Sequence, residues 1–231
     1  MGQTIEIETL DREGRFTAYE AAPAVSPMAA VIVIQEIFGV NAGIRAKADG
    51  WAEAGYLTIA PDMFWRFAPG YDVDPDVPAQ MADAFEVRKR FDLDLAVSDV
   101  EATIRAIRAR GMAKIGIVGF CMGGSVAFLA ATRTDVDASV GYYGAQIGGY
   151  LHEAHAIAKP LLLHFAGEDA HIPAEVVERI HATLDGNAHV AIHEYPRVGH
   201  GFADTFGQRR SETEAALAEA RTRAFFAEHL Q

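Results

Sequence analysis

Gly119-Phe120-Cys121-Met122-Gly123-Gly124 is the stretch that decides how the chain is read. It follows an apolar run, Lys114 to Gly119, with the character of a buried strand, and precedes a helical pattern from Ser125 to Thr132. A Gly-x-Cys-x-Gly turn between strand and helix is a nucleophile elbow. The central residue is forced into a strained backbone conformation, and the flanking glycines let strand and helix pack closely around it. The sulfur then stands above the sheet at a helix N-terminus, where free N–H groups and the helix dipole favour thiolate over thiol. Cys121 is the only cysteine, so no internal disulfide is available to it. Its other reading is a small buried hydrophobe on a glycine-rich turn.

Working outward, four more short apolar segments read as buried strands: Ala29 to Gln35, Tyr56 to Ala60, Ala138 to Tyr143 and Leu161 to Ala166. A last strand spans His189 to Tyr195. Helical patterns fall between and after them at Ile44 to Ala54, Asp94 to Arg110, Ala174 to Leu184 and Ser211 to Glu228. Strands alternating with helices give a mostly parallel sheet of about seven to eight strands with helices on both faces. Before them, Thr4 to Thr9 and Phe16 to Ala22 alternate around Asp11-Arg12-Glu13-Gly14, as an antiparallel edge hairpin does. Pro69 to Pro78 reads as a surface excursion that borders a site.

At 231 residues the chain is expected to form one domain, 1–231, since about 150 residues is usual for one. Half of the residues are hydrophobic and 23% charged, which excludes intrinsic disorder. A formal net charge of −12 without a long Lys/Arg cluster argues against nucleic acid as a partner. The N-terminus is acidic and alternating, unlike a secretory leader, and no apolar run approaches the roughly 20 residues of a membrane span. A soluble cytoplasmic protein is expected, monomer or homodimer being left open. His152-Glu153-Ala154-His155 is one residue too short for a His-Glu-x-x-His zinc site, and His189 with His193 lacks a third ligand, so no metal is expected. No phosphate loop or dinucleotide fingerprint occurs, so no organic cofactor is expected either.

A nucleophile needs a base and an acid to orient the base. Two loops at strand ends offer them in the order nucleophile, Asp, His: Asp169 in Gly167-Glu168-Asp169-Ala170-His171, and His200 in Val198-Gly199-His200-Gly201-Phe202. Both follow carboxyl ends of predicted strands, where catalytic groups of an open α/β sheet converge. The backbone N–H groups of Met122 and Ile37 are the expected oxyanion hole. Glu36 stands between strand and oxyanion hole, as acceptor of the Cys121 proton, as a restraint on the thiol, or as a cap for the helix that follows. His164 and His171 flank the Asp169 loop as packing and rim.

Gln35-Glu36-Ile37-Phe38-Gly39, Pro61-Asp62, the Cys121 elbow, the Asp169 loop and Gly199-His200-Gly201-Phe202 together resemble the dienelactone hydrolases, or carboxymethylenebutenolidases, over nearly the whole chain. The resemblance implies an α/β-hydrolase fold and a hydrolase of small esters or lactones. In it Cys121 is the nucleophile, His200 the base, Asp169 its orienter and Glu36 the carboxylate that governs the thiol. It also implies two arginines on the substrate carboxylate, at positions that here hold Asp204, by ungapped count from His200, and Ala79 or a residue close to it. These two, with Phe38 and with Arg66 as a substitute cation, are the candidate substrate contacts; the Arg88-Lys89-Arg90 run offers a second source of charge. The expectation is therefore a Cys-His-Asp thiol hydrolase with an acyl-thioester intermediate, not optimised for the anionic dienelactone. The competing reading is a non-catalytic ligand-binding or thiol-sensing protein on the same fold.

Overall fold

The computed structural model describes residues 2–231; Met1, first residue of the stretch read above as no leader, lies outside them. Eight strands form one sheet in the order β1-β2-β4-β3-β5-β6-β7-β8. The first two, β1 (Gln3–Glu8) and β2 (Arg15–Ala21), are the expected antiparallel hairpin. Its turn is closed by Thr9 N–H on Gly14 O at 3.0 Å and by Asp11 Oδ1, which accepts from Thr9 Oγ1 at 2.6 Å and Glu13 N at 3.0 Å. β2 runs antiparallel to β4 (Leu57–Pro61). From there β3 (Ala30–Ile34), β5 (Ile115–Phe120), β6 (Ala138–Tyr142), β7 (Leu161–Ala166) and β8 (Val190–Tyr195) are all parallel. Every residue of β3, β4, β5, β6 and β7 is buried, which is why these strands read as unbroken apolar runs instead of alternating ones.

The chain leaves β3 toward β4 and then crosses back to β5 on the other side of β3. Connections that depart in opposite directions leave a crevice at the carboxyl ends of β3 and β5, the usual place for a ligand in an open parallel sheet. Helices cover both faces. On β5, Gly116 faces the last helix, α6 (Glu212–His229): a Cβ there would lie 2.9 Å from Phe226. Gly119, three residues on and so on the opposite face, meets α4 (Met122–Arg133). α1 (Ala42–Glu53), capped by Asn41 Oδ1 on Ile44 N at 3.1 Å, shares the face of α6 through Trp51 and Phe226, 5.2 Å apart. α3 (Leu93–Ala109) packs beside α4, and α5 (Ala174–Leu184) follows the Asp169 loop.

One helix lies outside the expected set. α2 (Pro78–Arg88) begins at the proline taken as the end of a surface excursion and buries only Ala84. It has no clear apolar stripe to register as a period, because it rests on the mouth of a cleft and not on the core. His152–His155, read above as too short for a zinc site, lies in a 3-10 turn in which Glu153 is paired with Arg133 at 2.6 Å. Among the described residues, no helix is long and apolar enough to cross a membrane.

The glycines at the β5–α4 turn set the spacing of the whole crevice. A Cβ on Gly119 would stand 1.9 Å from Gly123 O, and one on Gly123 would stand 2.6 Å from both Ile34 O and Gln35 O. These obstacles are backbone atoms that cannot rotate away. Gly119→Ala is expected to cost about 3 kcal/mol or more of folding stability. Urea denaturation of the variant beside an exposed control such as Gly186→Ala, whose Cβ meets nothing within 4 Å, checks this.

Candidate active site

Cys121 sits at the start of α4 with φ 54° and ψ −114°, the strained conformation expected of an elbow. Its N–H donates to Tyr142 O at 3.0 Å, and its carbonyl accepts from Gly124 N at 3.0 Å, so the strain is held from both sides. The residue is half-buried, facing a cleft of about 610 Å³. Ile37, Phe38, Met122, Gln146, His171 and His200 are among its walls, and Met81, Phe85 and Arg88 of α2 roof it. The volume suits a small molecule.

The acid and base loops converge on the same cleft. His200 Nδ1 and Asp169 Oδ2 are 2.8 Å apart, with the Asp169 side chain fully buried and that of His200 9% exposed. His200 Nε2 is buried, faces the Cys121 thiol and is otherwise without a partner. Burial alone pushes this imidazole toward the neutral form. The hydrogen bonds and charges of Asp169 and Cys121 outweigh that and hold its pKa up at about 10. Behind the ring stands Tyr143, 4.9 Å away between centroids, itself in the left-handed region at φ 38°. His171, expected as rim, lines the cleft with its ring 4.8 Å from that of His200, and burial followed by the charge of His200 lowers its pKa.

Ile37 and Met122 both border the cleft, and among the described residues neither amide N–H donates to a protein group. Two otherwise orphaned donors beside a nucleophile are what an oxyanion requires. Glu36, one residue earlier, is 7% exposed. Its Oε1 has no hydrogen-bond partner, so it makes no hydrogen bond to the thiol. Its Oε2 lies 3.5 Å from Arg209 Nη2 instead.

Arg209 is the residue that sequence reasoning missed. Its guanidinium lines the cleft, lies 4.9 Å from the centre of the Phe38 ring, and stands 2.5 Å from Asp204 Oδ2. It passes over Gly201, whose φ of +81° suits glycine and where a Cβ would lie 3.1 Å from the guanidinium carbon. An ungapped count from His200 reaches Asp204, whereas the loop folds back and delivers its cation five residues later. The available signal was an arginine pair, Arg209-Arg210, in the loop that follows the histidine.

The other expected substrate contacts sit elsewhere. Asp204 is 5% exposed and lies behind Arg209, off the cleft, because the guanidinium occupies the space in front of it. Ala79 is exposed on the first turn of α2, two residues before Met81, and does not itself line the cleft. Arg66 is committed to the buried Asp99, with Nη2 2.9 Å from Oδ1, and does not reach the cleft. Phe38 does line it, and from the Arg88-Lys89-Arg90 run only Arg88 does. His164 is fully buried against Tyr195 and Thr222, at 2.9 and 3.1 Å, in the packing of α6 on the sheet. Among the described residues no group of three or more His, Cys, Asp or Glu side chains is arranged to hold a metal.

The dienelactone hydrolase family is matched by residues 16–230 of the chain. A carboxymethylenebutenolidase of Pseudomonas putida is 36% identical over 225 residues, with 96% of this chain and 95% of that protein covered. Carboxymethylenebutenolidase 1 of Cupriavidus pinatubonensis is 32% identical over 90% of each. A crystal structure from Klebsiella pneumoniae, described as a candidate dienelactone hydrolase, superposes with a TM-score of 0.86 at 27% identity, covering 99% of this chain and all of that one. A dienelactone hydrolase-like promiscuous phosphotriesterase from metagenomic libraries shares the fold, with a TM-score of 0.79 at 18% identity over 99% of this chain and 98% of that one.

Because the charge of Asp169 supports the imidazole, Asp169→Asn is expected to lower the His200 pKa from about 10 toward the ordinary histidine range. Turnover of an ester should fall by about two to four decades with it. An NMR titration of the imidazole nitrogens beside steady-state kinetics checks both.

Proposed function

Because the chain belongs to the dienelactone hydrolase family and is a hydrolase acting on esters or lactones, we propose that it works through Cys121 as a thiol nucleophile with His200 as base and Asp169 as its orienter. The observation that carries this reading is the strained Cys121 elbow facing His200 Nε2, with Asp169 buried behind the ring at 2.8 Å.

In this reading the Cys121 thiolate attacks the substrate carbonyl while His200 holds the thiol proton. The oxygen that becomes negative is met by the N–H groups of Ile37 and Met122. Collapse of the tetrahedral adduct breaks the ester C–O bond, and imidazolium returns its proton to the leaving oxygen. An acyl thioester on Cys121 remains. Water, deprotonated by His200, then attacks it through a second oxyanion on the same two donors and releases the carboxylic acid and the thiol.

The charge of the cleft supports an uncharged substrate. Arg209 faces the reacting centre, but Glu36 and Asp204 already stand on its guanidinium at 3.5 and 2.5 Å. A carboxylate-bearing lactone would approach a cation whose charge the buried Glu36 already balances, so a neutral ester or lactone is the better substrate.

Cys121→Ala is expected to abolish hydrolysis of p-nitrophenyl acetate, and rapid quenching of the wild type should trap one acetyl group on Cys121 by mass spectrometry. Undiminished turnover in the variant would overturn the thiol mechanism, and labelling without turnover would favour a thiol sensor. Glu36→Gln removes one of the two carboxylates that balance Arg209 beside the thiol, and should speed iodoacetamide alkylation of Cys121 several-fold near neutral pH. A slower rate would make Glu36 an activating base.

A further inference from the structure

Asp204 and Glu36 are more than nine-tenths buried, and Glu36 Oε1 and both Asp204 carboxylate oxygens lack a hydrogen bond. Two carboxylates thus share one guanidinium, Arg209, which itself stands in the wall of the catalytic cleft. On their far side lies a second cavity of about 490 Å³, lined by Glu36, Asp204, Lys47, Asn41, Thr205 and the acidic 72–76 loop. It reaches Asp204 from a side that does not pass Cys121.

We propose that Asp204 is a specificity-determining positioning residue: through Arg209, its gain or loss of a proton sets the charge behind the cleft, so that carboxylate-bearing esters are rejected more strongly as pH rises. This rests on the cleft being the substrate site of the proposed hydrolase. Asp204 touches no reacting atom. With its proton on, Glu36 and Arg209 balance; with it off, two carboxylates face one guanidinium and one negative charge is in excess.

The groups packed around Asp204 keep that change local. Glu36 comes from the loop after β3, Lys47 from α1, Tyr143 from the end of β6 and Arg209 from its own loop. Burial, then the charge of Glu36, raise the Asp204 pKa well above the usual carboxylate range, against Arg209 and Lys47. Burial keeps the Tyr143 phenol protonated, and Arg209, raised by both carboxylates, keeps its charge. Lys47 is pulled down by burial, yet its ammonium donates to Ala203 O at 2.7 Å. Changes at the reacting centre are common to neutral and anionic substrates.

The test compares p-nitrophenyl valerate with the mono-p-nitrophenyl ester of glutaric acid, acyl groups of equal length that differ by one carboxylate. The kcat/KM ratio of neutral to anionic ester is followed from about pH 6 to about pH 9, where the glutarate carboxylate stays ionised. Taking the ratio cancels the ionisation of the nucleophile. In the wild type it should rise about tenfold, carried by KM of the anionic ester; in Asp204→Asn it should be flat. A flat wild-type ratio overturns the proposal even if the variant fails to fold, and so does a rise that persists in Asp204→Asn. Failure of the thiol mechanism would show separately, as turnover surviving in Cys121→Ala.

Discussion

Where α4 meets β5, the backbones of Gly119 and Gly123 approach so closely that neither position has room for a Cβ, and Gly123 in turn rests on the carbonyls of Ile34 and Gln35 at the end of β3. That contact locks two neighbouring strands and one helix into a fixed spacing. It also leaves Cys121 no conformation but the strained one it holds, at a cost of about 1–3 kcal/mol supplied by the surrounding packing. The rest of the site inherits its positions from this frame. The β3 loop brings Ile37 to the cleft that Met122 also lines, and the sheet order carries the ends of β7 and β8, with Asp169 and His200, to the same rim.

Electrostatics in the crevice follow from burial. Asp169 and His200 form a pair whose charges strengthen each other, and the hydrogen bonds and charges of Asp169 and then Cys121 hold the imidazole's pKa up against burial. A few ångströms away the count is uneven, with Glu36 and Asp204 sharing Arg209. Buried charges left unbalanced are costly, and burial beside Glu36 raises the Asp204 pKa well above the usual carboxylate range. Fixed groups beside the nucleophile are thereby separated from a titrating one behind them. In the proposed mechanism the first set serves bond making, and the second bears on which substrates approach.

The order of strands and helices was legible because β3 to β7 are buried on both faces and read as short unbroken apolar runs, while helices such as α3 have a solvent side and leave a helical period. Cys121, Asp169 and His200 were legible for a related reason. Their loops carry glycines that the tight turns demand, and the three come in one order along the chain. α2 left no such trace, since a helix that covers a cleft buries little of itself. Tyr143 was hidden as the last residue of an apolar run, although its left-handed backbone turns the ring against His200.

What the sequence by itself determined was the α/β frame, the elbow and the residue types able to act around it, because these are local patterns of period, turn and close backbone contact. Only the tertiary structure decided which charges meet. Arg209 reaches the cleft while Arg66 is spent on Asp99, and Asp204 lies behind Arg209 with Glu36 in place of facing a substrate. Ion pairing acts across space between side chains far apart in the chain, and the loop from Gly201 to Ser211 after His200 can deliver its cation from any of several positions. Counting along the sequence therefore identifies the loop, and folding against Gly201 selects the arginine.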